Sequence, residues 1–253
     1  MNLAERISTL RRVNELSARQ LAALVDVAPT TVTRIEAGLV SPSFDLAQEL
    51  LAVLGDPIGF AGEADIHAIT AARLALDPNL RLTVTPGVEI WRQRWARIGL
   101  LDNNGSVAEG KEAELMMRAG RAARLTRRPG AVNFIPGPSA YDIAEALGAA
   151  QIEYAVTGDT GANLYRSSAG EIWPVFYVEG VARAASAASL VRQEPGSFGK
   201  RITLIPFDGV SEIGRTRIGA VTVVARNQIV IDAYGGIDRM PEQAEILLGR
   251  RVA

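Results

Sequence analysis

The chain has 253 residues, of which 48% are hydrophobic and 22% charged, a balance typical of folded globular chains. Cysteine is absent and His67 is the only histidine, which excludes disulfides, cysteine-based zinc sites and cysteine nucleophiles. No apolar run approaches the about 20 residues of a membrane span, and no signal-peptide pattern is found, so we expect a cytoplasmic protein without membrane contact. Because the net charge is −1, any nucleic acid would have to be bound by locally concentrated positive charge.

The first 55 residues predict a series of short helices. Leu3, Ile7 and Leu10 recur at helical spacing. Ser17 and Gln20 fit a capping box, in which the serine hydroxyl accepts from the N–H of residue 20 and the glutamine side chain accepts from the N–H of residue 17. A second helix is therefore expected to begin directly after Ser17.

A third helix is expected to start at Pro29, which suits a first helical turn, and to end at Gly38. Two short helices joined by a tight turn form the helix-turn-helix unit that reads DNA. The helical period turns Val32 and Ile35 toward the core. The opposite, outer face carries Pro29, Thr30, Thr33 and Arg34. From periodicity alone, simple helix packing remains the alternative to DNA binding.

Three runs in this region carry a family resemblance: LSARQLA at residues 16–22, VAPTTVTRIEAG at 27–38 and SP at 41–42. Over residues 4–55 the chain resembles the Xre/Cro family of phage-repressor-like helix-turn-helix proteins. The resemblance implies an all-α fold of five helices, with residues 28–37 as the recognition helix in the major groove. It also implies an internal salt bridge between Arg11 and Glu36.

We expect base contacts from the outer face of the recognition helix, because threonine and arginine can both read base edges. The predicted base-contacting residues are Thr30, Thr33 and Arg34, and the predicted phosphate contacts are Ser17, Gln20, Thr31 and Ser41. Two positions depart from the family pattern: Ala18 replaces a frequent phosphate-binding glutamine, and Ala28 replaces a capping hydroxyl. Residues 1–56 contain five arginines, no lysine and seven acids, a net charge of −2. Binding should therefore depend on paired subunits, and we expect a homodimer on double-stranded DNA.

Residues 56–59 (DPIG) interrupt the helical pattern and predict a domain boundary. Beyond it we expect a helix at 66–76, a short strand at 80–85, a helix at 89–98, a turn at 102–105 and a helix at 109–125. Trp91 and Trp95, one helical turn apart, are expected in the core or at a dimer interface. The last helix would end in a basic run that is either a second DNA or anion contact or a solvated helix face: Arg118, Arg121, Arg124, Arg127 and Arg128.

The C-terminal part mixes predicted helices and strands, which favours an α/β or α+β domain. We expect a loop at 133–138, strands at 154–157, 173–178, 202–206 and 221–224, and helices at 140–148, 227–234 and 241–248. The GDTG turn at 158–161 could bind a phosphate or simply join a strand to a helix. It lacks the Walker lysine, and the following strand offers only Glu179 where a nucleotidyltransferase needs paired carboxylates.

Three runs carry a second resemblance: YAVTG at 154–158, QIVID at 228–232 and MPEQAE at 240–245. They resemble the C-terminal domain of AbiEi-type antitoxin regulators. In that family a DNA-binding N-terminus is joined to a domain that is related in shape to nucleotidyltransferases but lacks their activity.

The sequence therefore predicts three parts: a helix-turn-helix domain at 1–56, a mostly helical middle segment at 62–130 and an α/β domain at 131–253. The expected function is a dimeric transcription repressor on an inverted-repeat operator, with a C-terminal part that dimerises and senses a small-molecule effector or a protein. We expect no enzymatic activity, cofactor or metal, and we expect His67 to be an ordinary surface or packing residue. The alternatives left open are an autoregulating antitoxin that binds a cognate toxin, and a nucleotidyltransferase-like enzyme with a DNA-targeting head.

Overall fold

The computed structural model describes residues 2–55, 64–166, 174–194, 200–237 and 239–250. The chain divides into two compact units, Met1–Ala123 and Arg124–Ala253. The predicted boundary at 56–59 and the predicted strand start at Trp173 lie outside the described residues. The division into three domains stays a prediction.

The first unit begins with four helices in residues 2–55: α1 Leu3–Val13, α2 Ala18–Leu24, α3 Pro29–Glu36 and α4 Phe44–Val53. The five helices implied by the family resemblance are not confirmed there. Side-chain caps start three of these helices, since Asn2, Ser17 and Ser43 each accept a hydrogen bond from a backbone N–H three residues later. At α3, Pro29 takes the first helical position, where a missing N–H costs little.

The core of these four helices is built from apolar residues at helical spacing. Its members are almost completely buried: Ile7, Leu21, Val32, Ile35, Leu50, Leu51 and Leu54. Each helix contributes at least one of them, so the short helices are stabilised mainly by packing against one another.

Among its described residues, the first unit contains three further helices: α5 His67–Leu76, α6 Pro86–Arg97 and α7 Glu112–Ala122. Helix α5 packs against α6 and α7, and α6 also packs against α2. The predicted tryptophan pair lies in this core: Trp91 and Trp95 are 3% and 0% exposed, with ring centroids 5.4 Å apart. The predicted turn at 102–105 is confirmed by a hydrogen bond from the Gly105 N–H to the Asp102 carbonyl.

Polar contacts also join α6 and α7 to the first four helices. Arg94 pairs with Glu49 of α4, and an Arg97 nitrogen lies 3.4 Å from a carboxylate oxygen of Asp26. Arg121 of α7 donates to the carbonyl of Val13 at 3.1 Å. The middle segment therefore packs against the helix-turn-helix region within one unit.

One prediction for the middle segment is wrong, and another has bounds that are too long. Residues 80–85 form no strand, because this segment has no strand partner among the described residues and leads into α6, whose N-cap is Thr85. The helix predicted at 109–125 is shorter, since α7 starts at Glu112 and its cap at Ala123 has left the helical conformation.

The second unit starts with a 3-10 helix at Leu125–Arg127 and contains a mixed sheet of six strands among its described residues. The strands are β1 Val132–Phe134, β2 Tyr154–Thr157, β3 Val175–Val178, β4 Ile202–Pro206, β5 Thr216–Ile218 and β6 Val221–Val223. Their order across the sheet is β1-β4-β3-β2-β6-β5. Strands β4 and β3 are parallel, as are β2 and β6, and the other neighbours are antiparallel.

In the part of this unit that the structure describes, five helices accompany the sheet: α8 Ala140–Ala149, α9 Gly158–Tyr165, α10 Val181–Ala187, α11 Arg226–Tyr234 and α12 Met240–Leu247. Strands β3 and β4 are buried almost throughout, so helices must cover both faces of the sheet. Helices α9, α11 and α12 pack together, and α9 and α11 contact β2, whereas α10 packs on β4 and α8. The expectation of mixed helices and strands around one sheet is confirmed.

Two elements at the edges of the sheet differ from the sequence expectation. Residues 132–134 form β1 although 133–138 was expected to be a loop, and β5 was not expected at all. Both strands have three residues, too few for an alternating pattern to stand out, and they exist because β4 and β6 supply pairing partners.

Candidate nucleic-acid interface

Helices α2 and α3 are joined by a turn whose backbone geometry is set by Asp26. Asp26 has φ +56°, in the left-handed region that aspartate tolerates better than most residues. The Val27 N–H donates to the Ala22 carbonyl at 3.0 Å, which closes the end of α2 as a Schellman motif. The chain is thereby turned sharply into α3 at Pro29.

The outer face of α3 is open to solvent. Thr30, Thr33 and Arg34 are exposed, whereas Val32 and Ile35 are buried at 0% and 1% exposure, as predicted. Arg34 and Thr30 make no side-chain hydrogen bond or ion pair with other residues that the structure describes. A cation and a hydroxyl are therefore available on this face for an external partner.

The C-terminal end of α3 is closed by Gly38. The Leu39 N–H donates to the Arg34 carbonyl at 2.9 Å and the Gly38 N–H to the Ile35 carbonyl at 3.0 Å, a second Schellman motif. Gly38 has φ +70°, which glycine adopts without strain. The helix stop predicted at Gly38 is confirmed.

The residues predicted to contact phosphate occupy different settings. Ser17 and Gln20 form the predicted capping box, with Ser17 accepting from the Gln20 N–H at 3.1 Å and Gln20 accepting from the Ser17 N–H at 2.9 Å. Thr31 is half-buried, and Ser41 is exposed in the loop between α3 and α4. Their contacts with DNA stay predictions, as do those of Pro29 and the outer-face residues.

Arg19 was missed by the sequence reasoning. It is exposed in the first turn of α2 and makes no ion pair or side-chain hydrogen bond with other described residues. The sequence feature that could have indicated Arg19 is its position between the two capping residues Ser17 and Gln20. Because it lies in the helix that precedes the recognition helix, it is a further candidate for phosphate contact.

The basic run at 118–128 does not form the expected helix face. Helix α7 ends at Ala122, so only Arg118 and Arg121 lie on it. Arg118 is 9% exposed and donates to Glu114 at 2.7 Å and 3.1 Å. Arg124, Arg127 and Arg128 belong to the second unit, where the first two are half-buried. Because Arg118 and Arg128 are buried, the prediction of one helix face that exposes all five arginines is wrong.

Arg128 instead lies at the centre of a buried polar network. It is 3% exposed and donates to Asp232 at 2.7 Å and to the Tyr177 hydroxyl oxygen at 2.8 Å. Asp232 also accepts from Thr157 at 2.7 Å and from Gln228 at 2.9 Å. Burial raises the pKa of the Tyr177 phenol well above its ordinary value, so the phenol stays protonated and donates to Asp232 at 3.4 Å. The network joins Arg128, the residue directly after the 3-10 helix, to β2, β3 and α11.

The GDTG segment at 158–161 forms the first turn of α9 and is buried. Asp159 and Thr160 are only 5% and 6% exposed. Within the part of the chain that the structure describes, no group of three or more acidic or histidine side chains could hold a metal ion. In the same part of the chain, no helix has both the length and the apolar character needed to cross a membrane.

Residues 7–58 match the family model described as Helix-turn-helix. The match covers most of α1 and all of α2, α3 and α4, and it does not reach the second unit, for which the AbiEi resemblance is not shown. Searches of curated proteins and of solved structures found no significant match. The N-terminal part of the chain, at residues 7–58, is therefore a helix-turn-helix domain of the Xre/Cro type, which supports a DNA-binding regulator in general.

Proposed function

We propose that the protein is a dimeric transcription repressor that binds an inverted-repeat operator through the outer face of α3. The observation that carries this proposal is the two-sided character of α3. Its inner residues Val32 and Ile35 are completely buried, whereas Thr30, Thr33 and Arg34 are exposed. A helix held in this way can enter the major groove while its base-reading side chains stay accessible.

An ion pair and backbone hydrogen bonds hold α3 in its position. Glu36 in its last turn accepts two hydrogen bonds from Arg11 of α1, and Arg11 also donates to the Leu16 carbonyl at 2.8 Å. Schellman motifs close both α2 and α3. Precise placement of a recognition helix depends on such contacts, because small displacements misalign every base contact.

Charge explains why two copies are proposed. The helix-turn-helix region has a net charge of −2, so it gains little affinity from the phosphate backbone alone. One short recognition helix also contacts too few base pairs for regulatory affinity. Two subunits on half-sites about 34–36 Å apart, one helical turn of DNA, would supply the missing contacts. We propose that the remainder of the chain provides the dimer contact and senses an effector.

Selection of bound fragments from random duplex DNA by the full-length protein tests this proposal. We expect enrichment of an inverted repeat and a complex that contains two protein chains, measured by sedimentation of protein with the selected duplex. The variant with Thr30→Ala and Arg34→Ala together should lose the enrichment. Arg183→Ala, which removes an exposed arginine of α10 (61% side-chain exposure), should keep it. Failure of the wild-type protein to prefer any duplex over scrambled competitor would overturn the proposal.

A further inference from the structure

We infer that Thr33 reads a thymine through methyl-to-methyl contact and not by donating a hydrogen bond to a base. The inference rests on the proposed function and concerns how the same α3 face selects its sequence. Its starting observation is a hydrogen bond inside the helix: the Thr33 hydroxyl donates to the carbonyl oxygen of Pro29 at 3.1 Å.

This bond uses the one proton that a threonine hydroxyl can donate. Bonding to the carbonyl four residues earlier is one of the two arrangements that a threonine side chain prefers in a helix. Donation to guanine N7 or O6, adenine N7 or thymine O4 would require Thr33 to give up the bond to Pro29. With its proton held by Pro29, the hydroxyl can only accept a hydrogen bond, which in the major groove leaves it the amino groups of adenine and cytosine. The methyl group of Thr33 is wholly unengaged.

The chemistry of the major groove gives this methyl group a specific partner. Thymine is the only standard base that places a methyl group in that groove, and threonine methyl groups pack against it. Thr33 is exposed and lies next to Arg34 on the outer face, so both can face the same groove. Arg34 is suited to guanine, and Thr33 to a thymine near it.

Thr30 differs from Thr33 in the state of its hydroxyl group. Its hydroxyl makes no side-chain hydrogen bond with other described residues, so it can donate to or accept from a base edge or a phosphate. Two threonines one helical turn apart are thus assigned different forms of recognition, one polar and one apolar.

The experiment uses the full-length protein and the duplex recovered by selection from random DNA. Thr33→Val keeps the methyl group and removes the hydroxyl, whereas Thr33→Ser keeps the hydroxyl and removes the methyl group. Each thymine of the duplex is replaced singly by deoxyuracil, which lacks only the C5 methyl. The dissociation constant is measured for every pair of protein and duplex. Thr9→Val and Thr9→Ser on an exposed position of α1 are the matched controls.

We expect Thr33→Val to bind within about two-fold of wild type and Thr33→Ser to bind about four-fold more weakly per half-site, the effect of losing one buried methyl contact. At one thymine of each half-site, deoxyuracil should weaken wild type and Thr33→Val by a similar factor and leave Thr33→Ser unchanged. Both Thr9 variants should bind like wild type.

Two outcomes would overturn the inference while the proposed function stands. If Thr33→Val binds weakly and Thr33→Ser binds normally, the hydroxyl performs the reading. If deoxyuracil is tolerated at every thymine, or both Thr33 variants bind like wild type, no methyl contact is made. If wild-type protein binds no duplex specifically, the proposed function itself fails, and the inference fails with it. Thermal unfolding of each variant identifies any loss caused by misfolding.

Discussion

Arg11 and Glu36 join the first helix to the recognition helix by two parallel hydrogen bonds, at 2.6 Å from Nε and 2.8 Å from the terminal nitrogen. Both side chains are largely buried, at 17% and 11% exposure. Paired contacts between a guanidinium and a carboxylate fix orientation as well as distance. The salt bridge implied by the family resemblance is confirmed, and it holds the end of α3 that carries Arg34.

Removal of this salt bridge should destabilise the first unit. We expect Glu36→Ala to lower the free energy of unfolding by about 2 kcal/mol, because Arg11 would lose its charged partner in a mostly buried position. Urea unfolding monitored by tryptophan fluorescence measures the change. Glu109→Ala, at an exposed acid outside any helix, is the control. A Glu36→Ala result within about 0.5 kcal/mol of that control would show that the pair contributes little.

Arg34 should determine preference at a single base pair. We expect Arg34→Ala to cost about 1–3 kcal/mol of binding free energy on the selected operator and to relax the preference for guanine at one position. Arg34→Lys should recover only part of the loss, because lysine cannot make the paired contact to guanine. Competition binding with operators changed at each base pair measures both effects. Equal weakening on every sequence would instead show that Arg34 contacts only the DNA backbone.

The buried pair of Arg128 and Asp232 should control the stability of the second unit. Arg128→Ala leaves a carboxylate that is 0% exposed without its charged partner, and we expect a loss of about 3–5 kcal/mol. Arg183→Ala breaks an exposed pair with Glu179 and should cost less than about 1 kcal/mol. Thermal unfolding of both variants makes the comparison.

A double variant separates lost pairing from lost packing in this network. Arg128→Met combined with Asp232→Leu removes both charges and should be more stable than Arg128→Ala. If the double variant is no better, an unpaired Asp232 charge is not the main cost of Arg128→Ala, since the double variant also leaves the buried donors Thr157 and Gln228 without their acceptor.

Glu114 should give the first unit a stability that depends on pH. Its burial favours the neutral acid, but hydrogen bonds from Arg118 and Lys111 outweigh that effect and hold the pKa of Glu114 below its ordinary value. A carboxylate whose pKa is lower in the folded state contributes stability at neutral pH that is lost as the pH falls through that lowered pKa.

The test compares wild type with Glu114→Gln across pH. The stability advantage of wild type should be constant near neutrality and should shrink below about pH 4, where the unfolded carboxyl binds its proton. Melting temperatures from pH 7 to pH 3 measure it. Glu112→Gln, at an exposed acid of the same helix turn, is the control. An advantage that stays unchanged at pH 3 contradicts the prediction.

The helix-turn-helix could be predicted from the sequence because its determinants are local. The capping box of Ser17 and Gln20 spans four residues, and the helix stop at Gly38 requires only a residue that tolerates positive φ. The helical period sorted Val32 and Ile35 from Thr30 and Arg34 without knowledge of the rest of the chain. The exposed candidate site was therefore predictable, apart from Arg19.

The tertiary structure decided the features that depend on residues far apart in the chain. A basic run at 118–128 predicted one exposed face, but Arg128 is buried because Asp232, 104 residues later, lies where it can pair with it. The segment at 80–85 alternates like a strand and forms none, whereas β1 is a strand because β4 pairs with it. Caps and helical periods are satisfied within a few residues, whereas strand pairing and buried ion pairs require a partner that only the folded chain brings near.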